Sequence, residues 1–178
     1  METNYGSKYS VMDWRAAVIA GLIAGGLTML LWMLLWGVGT GGSLWTPFHH
    51  LSAIVLGEEV LTPSLSPVWP VVLSGMIVHL ILAVFYTIIL AFIIHRWGLV
   101  VGIIGGALFG LALYIINYYT FSWIYPWFYP MRSWIAFTGH IFFGAVAGGL
   151  YELLERDIYV GVEHVPTSTT DPDTGTPV

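Results

Sequence analysis

Four stretches of the chain run apolar for about 20 residues, the length a helix needs to cross a bilayer. They lie at 16–36, 71–94, 98–118 and 133–151. The first carries no charge and is preceded by Trp14 and Arg15. The second holds one ionisable residue, His79; the third has Asn117 near its end; the fourth holds His140. None shows the period-2 alternation of a barrel strand, and each must satisfy its own backbone in lipid. The pattern therefore predicts helices. The first stretch is rich in Trp and far from a small-residue cleavage site, which separates it from a cleaved signal peptide.

Polar positions between the spans set the topology. Lys8, Arg15, Arg96 and Arg156 fall on one side and Arg132 on the other. The positive-inside rule then puts both termini in the cytoplasm, with 37–70 and 120–132 facing out. The first outer segment opens on a glycine-rich breaker, Gly37 to Gly42. It continues through Trp45-Thr46-Pro47-Phe48-His49-His50 to Gly57. Thr46 reads as an N-cap, Pro47 as the first helical residue and Gly57 as the stop. With Phe48, Leu51, Val55 and Leu44 on one face, 47–56 is expected to form a short helix at the outer membrane surface. Pro63, Pro67 and Pro70 lead the chain back to the second span.

Composition agrees and narrows the class. The 178 residues are 57% hydrophobic and only 8% charged, with a mean hydropathy of +0.82. A soluble domain carries roughly 25% charged residues, so a soluble globular enzyme is excluded. A net charge of −5 supplies no basic face for nucleic acid. Without cysteine, thiol nucleophiles and cysteine-ligated metals are excluded. The resulting fold class is an all-α membrane protein of four transmembrane helices, in two tandem parallel hairpins, with a short outer interfacial helix. A cytoplasmic segment, 1–15, precedes the membrane domain, 16–158. A disordered cytoplasmic tail, 159–178, follows it.

The hairpin arrangement rests on an internal repeat. Ala20-Gly21-Leu22-Ile23-Ala24-Gly25-Gly26-Leu27 aligns with Val101-Gly102-Ile103-Ile104-Gly105-Gly106-Ala107-Leu108. His79, Ala83 and Thr87 stand in the same relation as His140, Gly144 and Gly148. A duplicated two-span unit keeps its orientation, so the copies relate by an axis along the membrane normal. Ala17, Gly21 and Gly25 recur at four-residue steps, as do Gly98, Gly102, Gly106 and Gly110. Such grooves let helix backbones approach closely, either between spans of one chain or against a partner.

An ionisable residue inside a span is a functional candidate. His79 and His140 each read as about eight residues in from the outer helix end, a depth of roughly 12 Å. Three uses are open: interhelical hydrogen bonding, axial ligation of a b-type haem, and proton handling. His49-His50 with Glu58-Glu59 matches no zinc pattern and reads as a solvated polar edge. Glu152 and Arg156 read as an i,i+4 pair closing the fourth span.

The run His140-x-x-x-Gly144-x-x-x-Gly148, closing on Leu150-Tyr151, resembles a group of small four-span bacterial membrane proteins of unknown function. That resemblance covers the spans and implies no enzyme activity and no ligand. Six of the ten residues from Phe121 to Pro130 are aromatic, which reads either as an interfacial belt or as a docking surface for a partner subunit. Trp123, Tyr125, Trp127, Phe128 and Tyr129, with Gly21, Gly25, Gly102 and Gly106, are the expected contact residues. The functional expectation is a non-catalytic accessory subunit of a respiratory or photosynthetic electron-transfer assembly in a prokaryotic inner membrane. Its partners would be lipid and other integral subunits. A haem-binding redox subunit using His79 and His140, and a small oligomeric transporter, are the alternatives.

Overall fold

The computed structural model describes residues 8–62, 66–156 and 158–161; Pro63 lies outside them. The chain forms two units, one spanning 12–156 and the other joining the two ends. Four helices of the larger unit are long and apolar enough to span a membrane, and the protein is a multi-pass helical membrane protein.

Helix α1 runs Trp14–Leu34 and continues through a π-turn, Leu35–Gly39. Its N-cap is Asp13, whose carboxylate accepts from Arg15 N at 3.0 Å and Ala16 N at 3.1 Å. Helix α2 is Thr46–Leu56, and α3 is Trp69–Ile94. Helix α4, Leu99–Ile115, also ends in a π-turn, Ile116–Thr120. Two 3₁₀ turns, Phe121–Trp123 and Pro126–Met131, lead to α5, Trp134–Leu154. Ser133 caps α5, its Oγ accepting from Ala136 N at 3.2 Å. The end of the bundle bearing α2 and the aromatic turns is called the outer end below.

The interior is built from small residues and the surface from large apolar ones. Ala17, Ala20, Ala24, Ala83, Ala91 and Ala147 are buried, whereas Leu30, Ile81, Phe92, Ile104 and Leu108 are exposed. Lipid is as apolar as a leucine core, so helices associate through close packing instead. Closest of all is α4 on α5. A Cβ on Gly106 would come within 2.1 Å of Gly144 O, and one on Gly148 within 2.1 Å of Gly102 O. Gly21 faces Val84 and Thr87, and Gly25 faces Ala83, so α1 meets α3 through the equivalent positions.

The repeat extends to the helix ends. One spacing along the chain separates Gly21 from Gly102, Gly25 from Gly106, and the π-turn starting at Leu35 from that starting at Ile116. The packing of the two hairpins is lopsided, however. Contact between α1 and α5 is broad, while α3 and α4 touch only slightly. A strict two-fold would make these contacts equal. On that side α3 presents Leu82, Phe85 and Tyr86 rather than glycines, and a cleft opens there.

Three local expectations are corrected. Trp45, not Thr46, precedes the first helical residue of α2, and Ser43 Oγ accepts from Trp45 N at 3.2 Å. Val55 and Leu44 are exposed. Pro47, Phe48, Leu51, Ser52 and Ala53 are buried, because α2 docks on α3 where Gly75 admits the Phe48 carbonyl. Glu152 does not pair with Arg156, since α5 stops at Leu154. Its carboxylate accepts from Gly98 N at 2.9 Å. Glu155 accepts from Tyr151 Oη at 3.0 Å and from Arg96 N at 3.3 Å, and also meets His95 Nδ1. These bonds hold the tight turn between α3 and α4, in which Arg96 and Gly98 adopt positive φ.

In the smaller unit, β1 (Lys8–Val11) pairs antiparallel with β2 (Ile158–Gly161). The strand replaces the disorder expected from residue 159 onward, through 161. The remainder of the tail, 162–178, is outside the described residues.

Candidate functional site

Both intramembrane histidines are buried, at 7% and 8% exposure. His79 lies ten residues after Trp69 and His140 six after Trp134, so their offsets from the helix starts differ. They nonetheless meet at one level, because Trp32 of α1 stands against both. Ring centroids are 5.8 Å apart for Trp32–His79 and 5.6 Å for Trp32–His140. Gly139 makes room for the indole, for a Cβ there would fall 1.7 Å from Trp32 Nε1.

The hydrogen bonds fix both tautomers. His79 Nε2–H donates to Gly25 O at 2.9 Å, joining α3 to α1. His140 Nδ1–H donates to Ala136 O at 2.7 Å in its own helix. Its Nε2 therefore accepts, and the donor is Asn117 Nδ2 at 3.1 Å. Asn117 Oδ1 in turn accepts from Tyr86 Oη at 3.4 Å. Tyr86, Asn117 and His140 thus form one chain running from α3 through the π-turn to α5. Tyr114 and Tyr118 stand edge-on to His140 at 5.9 and 5.7 Å.

Two cavities surround this group. The inner one, about 60 Å³, is lined by Thr28, Trp32, His79 and His140 among others. Thr28 Oγ1 and Trp32 Nε1 are buried without a hydrogen-bond partner. The outer one, about 330 Å³, lies between α2, α3 and the π-turn of α4. It shares Trp32, Leu51, Leu82, Tyr86, Asn117 and His140 with the inner one. Its lining includes His50 but no Lys, Arg, Asp or Glu.

A bis-histidine haem does not fit this arrangement. The indole of Trp32 stands against both rings, and the Nε2 atom of each histidine is already engaged. Among the described residues no group of three or more His, Asp or Glu could hold a metal.

The expected contact residues divide. Gly21, Gly25, Gly102 and Gly106 all pack against helices of the same chain. Tyr125 and Phe128 turn inward and line the outer cavity, Phe128 lying edge-on to Tyr118 at 5.9 Å. Trp127 is half-buried with Nε1 unpartnered. Trp123 and Tyr129 are exposed, Trp123 at 89%. His49 is no solvated edge: it is 4% exposed and its Nδ1–H donates to Val60 O at 2.6 Å. Glu58 and Glu59 are exposed as expected.

Sequence reasoning passed over Trp32, the residue that organises the site. The available signal was a Trp inside a span, one turn before the belt position Trp36, on the helix face that carries Gly21, Gly25 and Thr28.

The fold and site define a class: a four-span helical membrane protein with a mainly aromatic, uncharged cleft at one end. Comparison with known proteins finds no matching family model, no matching curated protein and no matching solved structure.

Proposed function

We propose that the chain is a non-catalytic subunit of a larger membrane assembly, held there by the outward edge of its aromatic turns. The observation that carries this reading is the division within that segment. Tyr125 and Phe128 pack inward, while Trp123, Ile124 and Tyr129, at 89%, 64% and 52% exposure, rest on none of the rings that fix their neighbours. Trp123 and Tyr129 sit on short 3₁₀ segments, and Phe128 anchors the second of them on Tyr118. Rigid, exposed aromatic side chains lose little entropy on docking, and they dominate interface energetics. The intramembrane histidines fit a structural role, since each is tied to a carbonyl. The assembly would sit in a prokaryotic inner membrane with Arg15, Arg96 and Arg156 on the cytoplasmic side; an electron-transfer complex is the assembly proposed.

The test is recovery of the tagged chain from gently solubilised native membranes. The wild type is expected to bring other integral proteins with it. The double variant Trp123→Ala, Tyr129→Ala should insert normally and lose them. Trp127 is left intact because its half-buried ring supports the turn. Recovery of the wild type as a stable, partner-free unit would reject the proposal.

A further inference from the structure

We infer that the outer cleft is a binding site for a neutral, flat, carbonyl-bearing ring on an apolar tail, the chemistry of a membrane quinone. The inference is independent of the partner proposal.

Size is the first argument. The cavity of about 330 Å³ is in the range that takes a small organic ligand, roughly 300–1,000 Å³. Charge is the second. No Lys, Arg, Asp or Glu lines it, so a phosphate headgroup would lie unpaired in a low-dielectric site. Shape is the third: Trp32, Phe85, Tyr118, Phe121 and Phe128 supply ring faces and edges, which favour a planar guest.

The deep end selects the functional group. Asn117 Nδ2 carries two N–H groups and His140 Nε2 takes one, leaving the second for a ligand. Asn117 lines the outer cleft. A spare N–H donor in an apolar surrounding calls for a carbonyl oxygen, because an unpaired buried donor is costly. The other end opens where α3 and α4 touch only slightly. Phe85 stands exposed there, so a tail can pass into the surrounding lipid.

The experiment uses the full chain in nanodiscs of phosphatidylcholine and phosphatidylglycerol. The probe is a decyl-substituted benzoquinone, with decylbenzene as the carbonyl-free control, and binding is followed by titration calorimetry. Saturable binding of one quinone per chain is expected, with decylbenzene at least about tenfold weaker, the equivalent of one hydrogen bond. Asn117→Leu should weaken the quinone to a similar extent. Leu82→Trp, which fills the cleft, should abolish binding, and Trp123→Ala should leave it unchanged. Quinone binding no greater than in empty discs, or equal affinity for decylbenzene, would overturn the inference without any variant needing to fold. So would wild-type affinity in a folded Leu82→Trp protein, or a tightly held phospholipid in the cleft that excess quinone fails to displace.

Discussion

The two hairpins, α1 with α3 and α4 with α5, are built on the same register and have come to do different things. At the positions facing Gly21 and Gly25 the first hairpin keeps side chains, Thr87 and Ala83. At the equivalent positions the second has Gly148 and Gly144, so its backbones nearly touch. The histidines diverge with them. In the wider hairpin His79 reaches across to Gly25 O. In the tighter one the equivalent carbonyl, Gly106 O, lies against Gly144, and His140 turns instead to its own helix and to Asn117. His79 is thus a tie between helices, and His140 a wall of the cleft.

The largest expected effect tests that difference in closeness. Gly144→Ala would place a methyl 1.9 Å from Gly106 O and 2.8 Å from Gly110 N, backbone atoms that cannot swing aside. A loss of about 3 kcal/mol is expected, the upper range for overpacking. Gly25→Ala meets side chains instead, the Ala83 methyl at 2.8 Å, Leu80 Cδ2 at 3.4 Å and His79 Nε2 at 3.8 Å. There the loss should be about 1 kcal/mol. Unfolding in mixed micelles with increasing dodecyl sulfate would measure both. Equal losses would mean that the two crossings are energetically alike.

The outer connections differ as well, and pH sharpens the contrast. One connection carries His49 and His50; the other has no histidine, and Arg132 is its one charged residue. Burial, with the neighbouring His49 adding to it, pushes His50 down to about 4 from 6.5. The folded protein thus holds this ring neutral, edge-on to Trp36 at 5.6 Å. Stability from His50 is fully present above pH 6.5, is lost as pH falls from there toward 4, and is level below that. The shift corresponds to at most about 3 kcal/mol. Unfolding midpoints from pH 7 to pH 4 should fall for the wild type, and less steeply for His50→Gln. Parallel slopes would remove His50 as the cause.

Much of this architecture was legible in the chain. Lipid forces every span to satisfy its own backbone, so span number and helical class follow from length and apolarity. The glycine register was legible for the same reason, since four-residue steps put one face together. What escaped was whatever depended on tertiary contact. His49 looks polar and exposed beside Glu58 and Glu59, yet α2 docks on α3 and buries it. The aromatic segment reads as one surface, and its division into inward Tyr125 and Phe128 and outward Trp123 depends on Tyr118 lying beneath it. Trp32 has the composition of an interfacial residue. Only the bare Cα of Gly139, more than a hundred residues later, lets it stand between the histidines.

The smallest effect bears most directly on the divergence of the two histidines. His79→Leu removes the bond to Gly25 O between helices. Hydrogen bonds of this kind average about 0.6 kcal/mol and reach about 1.7 kcal/mol in membrane proteins, so a loss near 1 kcal/mol is expected. His140→Leu breaks a bond within α5 and releases Asn117. Because α5 stays held to α4 by glycine packing, its stability cost should be the smaller of the two. Affinity for the ring-carbonyl probe should respond in the opposite order. His79 lines only the inner cavity, so its replacement should leave binding near the wild-type value. His140 orients the amide that donates to the ligand, and without it Asn117 is free to rotate. Binding should then weaken severalfold even though the fold is nearly as stable as before. The pair of measurements, unfolding and binding on both variants, therefore has a crossed outcome. If His79→Leu instead weakened binding as much as His140→Leu, the two histidines would be one functional unit, and the division of labour between the hairpins would be wrong.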